Sequence, residues 1–179
     1  SVCKQTFFIT EFTVDRSSAD GRKARCKACS RKASSDFKRS GKFIRSKSGF
    51  ARTQHSAHRR GIPFKLTVKQ YIKFWEDSAD VCAYCDGTVA DFVARRKVIM
   101  AKSKLGRFRC IFDNAVFLKL SAMTLDRDNP SIGYLLNNIK KACWICNRLK
   151  YGTFTGAEMR PAMRLIMQEI DSHRKKKRR

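Results

Sequence analysis

Two pairs of cysteines, Cys82-Ala83-Tyr84-Cys85 and Cys143-Trp144-Ile145-Cys146, constrain this chain more than any other feature. Two intervening residues let both thiolates of a pair reach one ion while backbone N–H groups bond the sulfurs, and two such pairs complete a tetrahedral Zn²⁺ shell. The four residues are therefore expected to form one four-thiolate site that closes the interval from Asp86 to Ala142. Four thiolates leave no open position, so this metal holds structure and cannot activate water. Two redox dithiols are the competing reading, but the thioredoxin-like βαβ pattern is missing. A second site is expected at Cys3, Cys26 and Cys29. It is incomplete: a residue ahead of Ser1, or His55, His58 or Cys110, would supply the fourth ligand. Otherwise Cys110 is a buried free thiol.

A chain of 179 residues has room for one modest domain with an appendage, or for two very small ones. Its 42% hydrophobic content permits a core but not a large one, the regime in which a metal staple matters. Ser1 to Thr10 lacks the apolar run and cleavage pattern of a signal peptide, and no segment approaches the ~18 apolar residues of a membrane span. The expectation is an intracellular, reducing compartment that keeps thiols available to metal; nucleus, organelle, and bacterial or phage-infected cytoplasm are not distinguished. Lys plus Arg number 40 against 15 Asp plus Glu, a formal net charge of +25. Ordinary soluble surfaces mix both signs. An excess this large binds polyanions, so nucleic acid is the expected partner, DNA favoured and RNA the alternative. No basic amphipathic helix with an aromatic face supports a membrane surface instead.

Along the chain, residues 1–32 read as a small zinc-ribbon-like module, with short β-type runs (Thr6-Phe7-Phe8-Ile9, Phe12-Thr13-Val14) and an Asp20-Gly21 turn. Residues 33–63 are rich in Lys, Arg and Ser without steady helical periodicity, and read as a basic arm that orders on its partner. Residues 64–157 hold the main domain. Thr67-Val68-Lys69-Gln70 has the form of a capping box, and Val68, Tyr71, Ile72 and Trp75 then recur at i, i+3, i+4 and i+7, one apolar stripe. An insertion of ambiguous structure spans 88–122, with a basic stretch from Arg95 to Arg109. Residues 158–179 read as a terminal helix and basic tail. Thr155 and Glu158 form a second capping box, although Pro161 argues for a start near Arg160. Met159, Met163 and Met167 form a stripe read as core packing. Lys175, Lys176 and Lys177 in the tail, and Arg59 and Arg60 in the arm, are candidate phosphate contacts.

Cys82-Ala83-Tyr84-Cys85, Leu125-Asp126-Arg127, Gly133-Tyr134, Asn138 and Cys143-Trp144-Ile145-Cys146-Asn147-Arg148-Leu149-Lys150 together resemble the HNH endonucleases (ββα-metal, His-Me finger) of phages, mobile elements and restriction systems. The subgroup is the one reading L-D-R, G-Y, N, C-x-x-C-N-x-x-K. Residues 3–29 are similar to the zinc ribbon that precedes such domains, and Gly61 to Thr67 looks like its usual lead-in. The resemblance implies an α+β fold: a zinc-stapled ββα-metal domain with an N-terminal ribbon and basic arm. It implies that Asp126 ends the first strand, that Asn138 lies in the second, and that the helix runs from about Cys143 to a cap at Gly152. It also implies one catalytic Mg²⁺ or Mn²⁺ held by Asp126 and Asn147, whose oxygens suit a hard cation. Asn138 would brace the loop that carries the base, and Arg148 and Lys150 would reach flanking phosphates.

One departure from the family matters. The general base is a His directly after the Asp, and here that position is Arg127, which stays protonated. A replacement would come from His55, His58, Tyr134 or a water activated by the metal. Asp128 is a nearby carboxylate, or else a second ion ligand. The resemblance thus implies a metal-dependent DNA endonuclease with Asp126, Arg127, Asn138 and Asn147 in the catalytic site. The alternative is an inert HNH fold that holds RNA or DNA structurally, as in a ribosome or other ribonucleoprotein.

Overall fold

The computed structural model describes residues 3–103 and 120–176, with 101–103 and 174–176 as helix backbone only. Cys110, the basic residues Lys104, Arg107 and Arg109, and Lys177 lie outside the described residues; Lys102, Lys175 and Lys176 enter as backbone. The architecture is α+β, with two separate two-stranded antiparallel sheets, together with helices, among the described residues. Contacts divide the chain into Ser1–Lys38 and Arg39–Arg179.

The first unit is a hairpin, β1 (Phe12–Val14) and β2 (Arg22–Cys26), running directly into helix α1 (Lys27–Arg39). Asp15 starts the turn, its carboxylate accepting from the Ser17 N–H and hydroxyl, and Gly21 closes it at φ +67°. Helix α1 buries none of its residues, and Cys26 is the one buried residue described in this unit. So small a chain cannot pay for its order by apolar burial alone, which leaves the cysteines as the staple. The Thr6–Ile9 run is not a strand: it leads into a 3-10 turn at Ile9–Glu11, and Phe8 is exposed. The expected ribbon also extends past residue 32, because α1 continues to Arg39.

In the second unit, helices α2 (Lys47–Arg59), α3 (Val68–Asp77) and α4 (Val89–Ser103) precede a hairpin of β3 (Thr124–Arg127) and β4 (Ile139–Ala142). Helices α5 (Trp144–Lys150) and α6 (Gly156–Lys176) follow. The basic arm is corrected here: Lys47–Arg59 is a helix of this unit, N-capped by Ser46, with Phe50 and Ala57 buried. Phe50 stacks edge-on against Phe64 and Tyr71, so one aromatic cluster commits an otherwise polar helix to the core. The Thr67–Gln70 capping box forms as expected, and α3 buries Tyr71 and Trp75. Its C-terminal end is tied to β4 by the buried Lys141, which donates to the Trp75 and Ser78 carbonyls and to Asp80.

Thr155 and Glu158 exchange their capping bonds, so α6 starts at Gly156 and Pro161 lies within it, against the later start. Met159, Met163 and Met167 are buried in the core. Asn138 falls just before β4 rather than inside it. Helix α5 ends at Tyr151, at φ +53°, instead of at Gly152. No helix among the described residues is long and apolar enough to cross a membrane.

The absence of a core in the first unit generates a test. Zinc analysis of the purified chain is expected to give two ions per molecule, and Cys26→Ser to give one. In that variant limited proteolysis should degrade Ser1–Lys38 while the second unit stays resistant. A fully protected first unit in Cys26→Ser would show that something other than the cysteines holds it.

Candidate functional site

Cys82, Cys85, Cys143 and Cys146 are all buried, with their sulfurs within 4.8 Å of one another. This fits one tetrahedral zinc, whose ~2.3 Å bonds put the sulfurs about 3.8 Å apart. The first pair sits in a knuckle closed by Cys82 N–H donating to the Gly87 carbonyl (2.9 Å), with Asp86 at φ +56°. The second pair opens α5: Cys143 is its N-cap, and its sulfur accepts from the Cys146 N–H. Hydrogen bonds from Cys143 and Cys146 drive Cys82 strongly toward the thiolate, while contact with Cys143 holds Cys146 protonated. Only a cation lets all four ionise together. Arg95 on α4 supports this set, with Nη1 3.5 Å from the Cys85 sulfur and the rest of its guanidinium on Asp171 of α6 (2.7 and 3.1 Å).

Cys3, Cys26 and Cys29 form a second group within the same 4.8 Å limit. The Cys29 N–H lowers the Cys26 thiol, and hydrogen bonding with Cys3 pushes Cys29 up to about 11. These three cysteines also fit a zinc, with three ligands among the described residues. His55 and His58 are exposed on α2.

Beside the four-cysteine cluster lies a buried polar constellation centred on Asp126, which is 7% exposed. Asp126 Oδ2 accepts from the Tyr84 hydroxyl at 2.7 Å and from Lys150 Nζ at 3.2 Å. Tyr84 and Lys150 are both 0% exposed, and the ammonium lies 5.8 Å over the tyrosine ring. Lys150 also donates to the Arg127 carbonyl at 2.6 Å. Burial raises the Asp126 carboxyl despite the Tyr84 and Lys150 contacts, and burial likewise raises Tyr84, keeping its hydroxyl a donor. Asp128 adds an oxygen, Oδ1, that is buried without a hydrogen-bond partner. Gly156 makes room for it: a Cβ there would stand 1.9 Å from that oxygen and 2.8 Å from the Tyr84 ring.

Asn147 packs on the same strand, its amide nitrogen donating to Thr124 Oγ1 (2.9 Å) and the Leu125 carbonyl (3.1 Å). Both bonds use the nitrogen, and the side-chain carbonyl oxygen accepts no hydrogen bond among the described residues. Asn138 is buried and braces the loop after β3: Oδ1 accepts from Asn129 N–H, and Nδ2 donates to the Asn129 and Gly133 carbonyls. Successive strand residues face opposite ways, so Arg127 points away from the Asp126 side. Its guanidinium bonds the Pro130 carbonyl and lies 5.4 Å over the Tyr134 ring. Tyr134 thus belongs to the Arg127 face, where its hydroxyl meets Arg60 at 3.4 Å.

Lys150 is the main surprise. Its expected reach to surface phosphates does not fit a side chain that is fully buried and paired to Asp126. Arg148, Arg59 and Arg60 are exposed as a phosphate contact requires. Two residues of the site stand outside the sequence-based set. Tyr84 had a signal, since it lies inside the first cysteine pair; nothing in the sequence marks Arg95 as a partner of Cys85.

No family model matches the chain, and no curated protein matches it. Among solved structures it is similar to a rare-cutting HNH restriction endonuclease, PacI, described as perturbing DNA. The TM-score is 0.47 and the identity 19%, over 93% of this chain and 91% of that chain. At that distance no residue role is carried from one to the other.

The buried pair makes its own prediction. Breaking it by Lys150→Met strands a carboxylate in the interior and is expected to cost about 3–5 kcal/mol in urea unfolding. The Asp126→Asn, Lys150→Met double variant should lose less than the sum of the singles. A double variant that loses the sum of the singles to within ~0.5 kcal/mol would mean that the two charges are not coupled.

Proposed function

We propose that this chain is a metal-dependent endonuclease of the HNH type that hydrolyses DNA phosphodiester bonds. The observation that carries the reading is the orphaned, buried Asp128 oxygen, which meets Gly156 together with the ring of Tyr84, the residue whose hydroxyl donates to Asp126. An oxygen buried without a donor is costly, and a hard cation satisfies it. Asp126 and Asn147 would hold Mg²⁺ or Mn²⁺, with Asp128 as a further oxygen ligand. Such an ion supplies Lewis-acid stabilisation of charge on the scissile phosphate and its leaving oxygen.

The chain's own residues have distinct tasks. Tyr84 orients Asp126 through its hydroxyl, and Lys150 holds a positive charge at the same carboxylate, where a developing negative charge on phosphate is favoured. Asn138 fixes the loop on which Asp128 and Asn129 sit. Arg148, at the exposed end of α5, meets a flanking phosphate. No proton acceptor comes from Arg127, whose guanidinium is a donor only, or from Tyr84, whose hydroxyl burial keeps protonated. Of the replacements open to the chain this reading takes the metal-activated water, whose proton would leave to solvent so that the rate follows hydroxide.

A second reading, an inert HNH fold holding RNA or DNA, is favoured by one specific contact: Lys150 already neutralises Asp126. Incubation with supercoiled plasmid and Mg²⁺ or Mn²⁺ separates the two. The wild type is expected to nick, with a rate that climbs with pH from about 6 to 9 instead of tracing a histidine bell. Asp126→Ala should lose at least ~10²-fold. Absence of metal-dependent nicking, or equal nicking by Asp126→Ala, would leave the inert reading.

A further inference from the structure

The two cysteine-nucleated motifs share a plan. In each, an antiparallel hairpin runs into a helix opened by a C-x-x-C pair: Cys26-Lys27-Ala28-Cys29-Ser30-Arg31 in the first unit, Cys143-Trp144-Ile145-Cys146-Asn147-Arg148 in the second. The same bond forms at both helix starts, Cys29 N–H to Cys26 sulfur at 3.4 Å and Cys146 N–H to Cys143 sulfur at 3.5 Å. In the second unit the residue after the pair, Asn147, bonds the first strand of its hairpin. In the first unit the corresponding residue, Ser30, lines an open groove together with Thr13 of β1.

That groove has a different chemistry from the Asp126 site. Its volume is about 520 Å³ and its walls are Thr13, Lys27, Ser30, Arg31, Ser34, Ser35 and Lys38, three cations and four hydroxyls without a carboxylate. On an α-helix these α1 positions fall on one face, and Asp36 lies about half a turn round from Lys27. Lys27, Arg31 and Lys38 are exposed, and none makes an ion pair among the described residues. They span roughly 16 Å of helix axis, at ~1.5 Å per residue. The set suits an extended polyanion: ammonium and guanidinium groups neutralise successive phosphates while hydroxyls donate to their oxygens. It cannot hold a hard cation.

We infer that the first unit is a non-catalytic counterpart of the ββα unit, whose β1–α1 groove binds the phosphodiester backbone of nucleic acid. It fixes position and register without reading bases. This rests on the nucleic-acid partner in the proposed function, but not on hydrolysis.

The test uses the full chain and a fluorescent DNA duplex of about 30 base pairs, with affinity measured across a salt series. Lys27→Gln, Arg31→Gln, Lys38→Gln together should make the slope of log affinity against log salt shallower by about 2–3, near one per lost phosphate contact. A control with the same charge change off the groove, Lys23→Gln, Arg25→Gln, Lys32→Gln, should change it by less than about one. Ser30→Ala, Ser34→Ala, Ser35→Ala should weaken binding several-fold with the slope unchanged. Circular dichroism checks that each variant keeps its helix content; one that does not is replaced by the corresponding Lys27→Gln, Lys38→Gln pair, expected to change the slope by about 2. Equal effects of groove and control variants, or an unchanged slope in the groove variant, would overturn the inference. So would wild-type binding that is insensitive to salt. If the groove result holds and plasmid is not nicked, the hydrolytic reading falls and the groove stands.

Discussion

Four buried sulfurs within 4.8 Å of one another are unstable as thiolates and wasteful as thiols, and that conflict organises the second unit. A zinc ion would resolve it, with an apparent binding free energy of ~10–16 kcal/mol in small domains, as large as the whole stability of a typical fold. The cysteines come from two places far apart in the chain, a knuckle after α3 and the junction of β4 with α5. Where the four cysteines meet, Tyr84, inside the knuckle, stands against Asp126 on the hairpin. Four thiolates on one ion would leave it no open position for chemistry, and its part would be to hold Tyr84 and Asp126 together.

Around Asp126 the chain has buried more charge than stability alone would favour. A lysine that is fully buried and a carboxylate that is nearly so could be exchanged for apolar side chains at little cost, as buried ion pairs often can. The pair shares Tyr84 with an unpartnered Asp128 oxygen, and in the proposed function these groups serve an ion and a phosphate. Preorganised charge in a dry pocket is worth more to a transition state than the same charge in water. Arg127, whose place in the HNH pattern belongs to a base, holds the following loop through the Pro130 carbonyl and the Tyr134 ring.

Local signals are legible in the sequence. Both capping boxes, the α3 stripe and the buried methionines of α6 stand where spacing places them, because each depends on neighbours a few residues away. The cysteine pairs are legible for the same reason, pair by pair. Residues 33–63 are not, since two buried positions, Phe50 and Ala57, commit α2 to the core inside an otherwise basic, serine-rich stretch. Lys150 misleads because a lysine at the end of a helix is nearly always at the surface, and only tertiary packing against Asp126 decides otherwise. Asn138 and Gly152 miss their expected elements by one or two residues, the usual uncertainty at an element's end. The likeness between Cys26–Arg31 and Cys143–Arg148 is written in the sequence, but it gains meaning only because both segments open a helix after a hairpin.

We propose that Asp126, on the hairpin that leads into the four-cysteine cluster, belongs to a site for a hard cation separate from the cysteines. Electron paramagnetic resonance of Mn²⁺ titrated into zinc-loaded protein tests it most directly, because free and bound Mn²⁺ differ in signal without any need for turnover. One bound Mn²⁺ per chain is expected in the wild type, with that binding lost in Asp126→Ala while the zinc content stays the same. Equal Mn²⁺ binding by the variant, or none by the wild type, would contradict the claim.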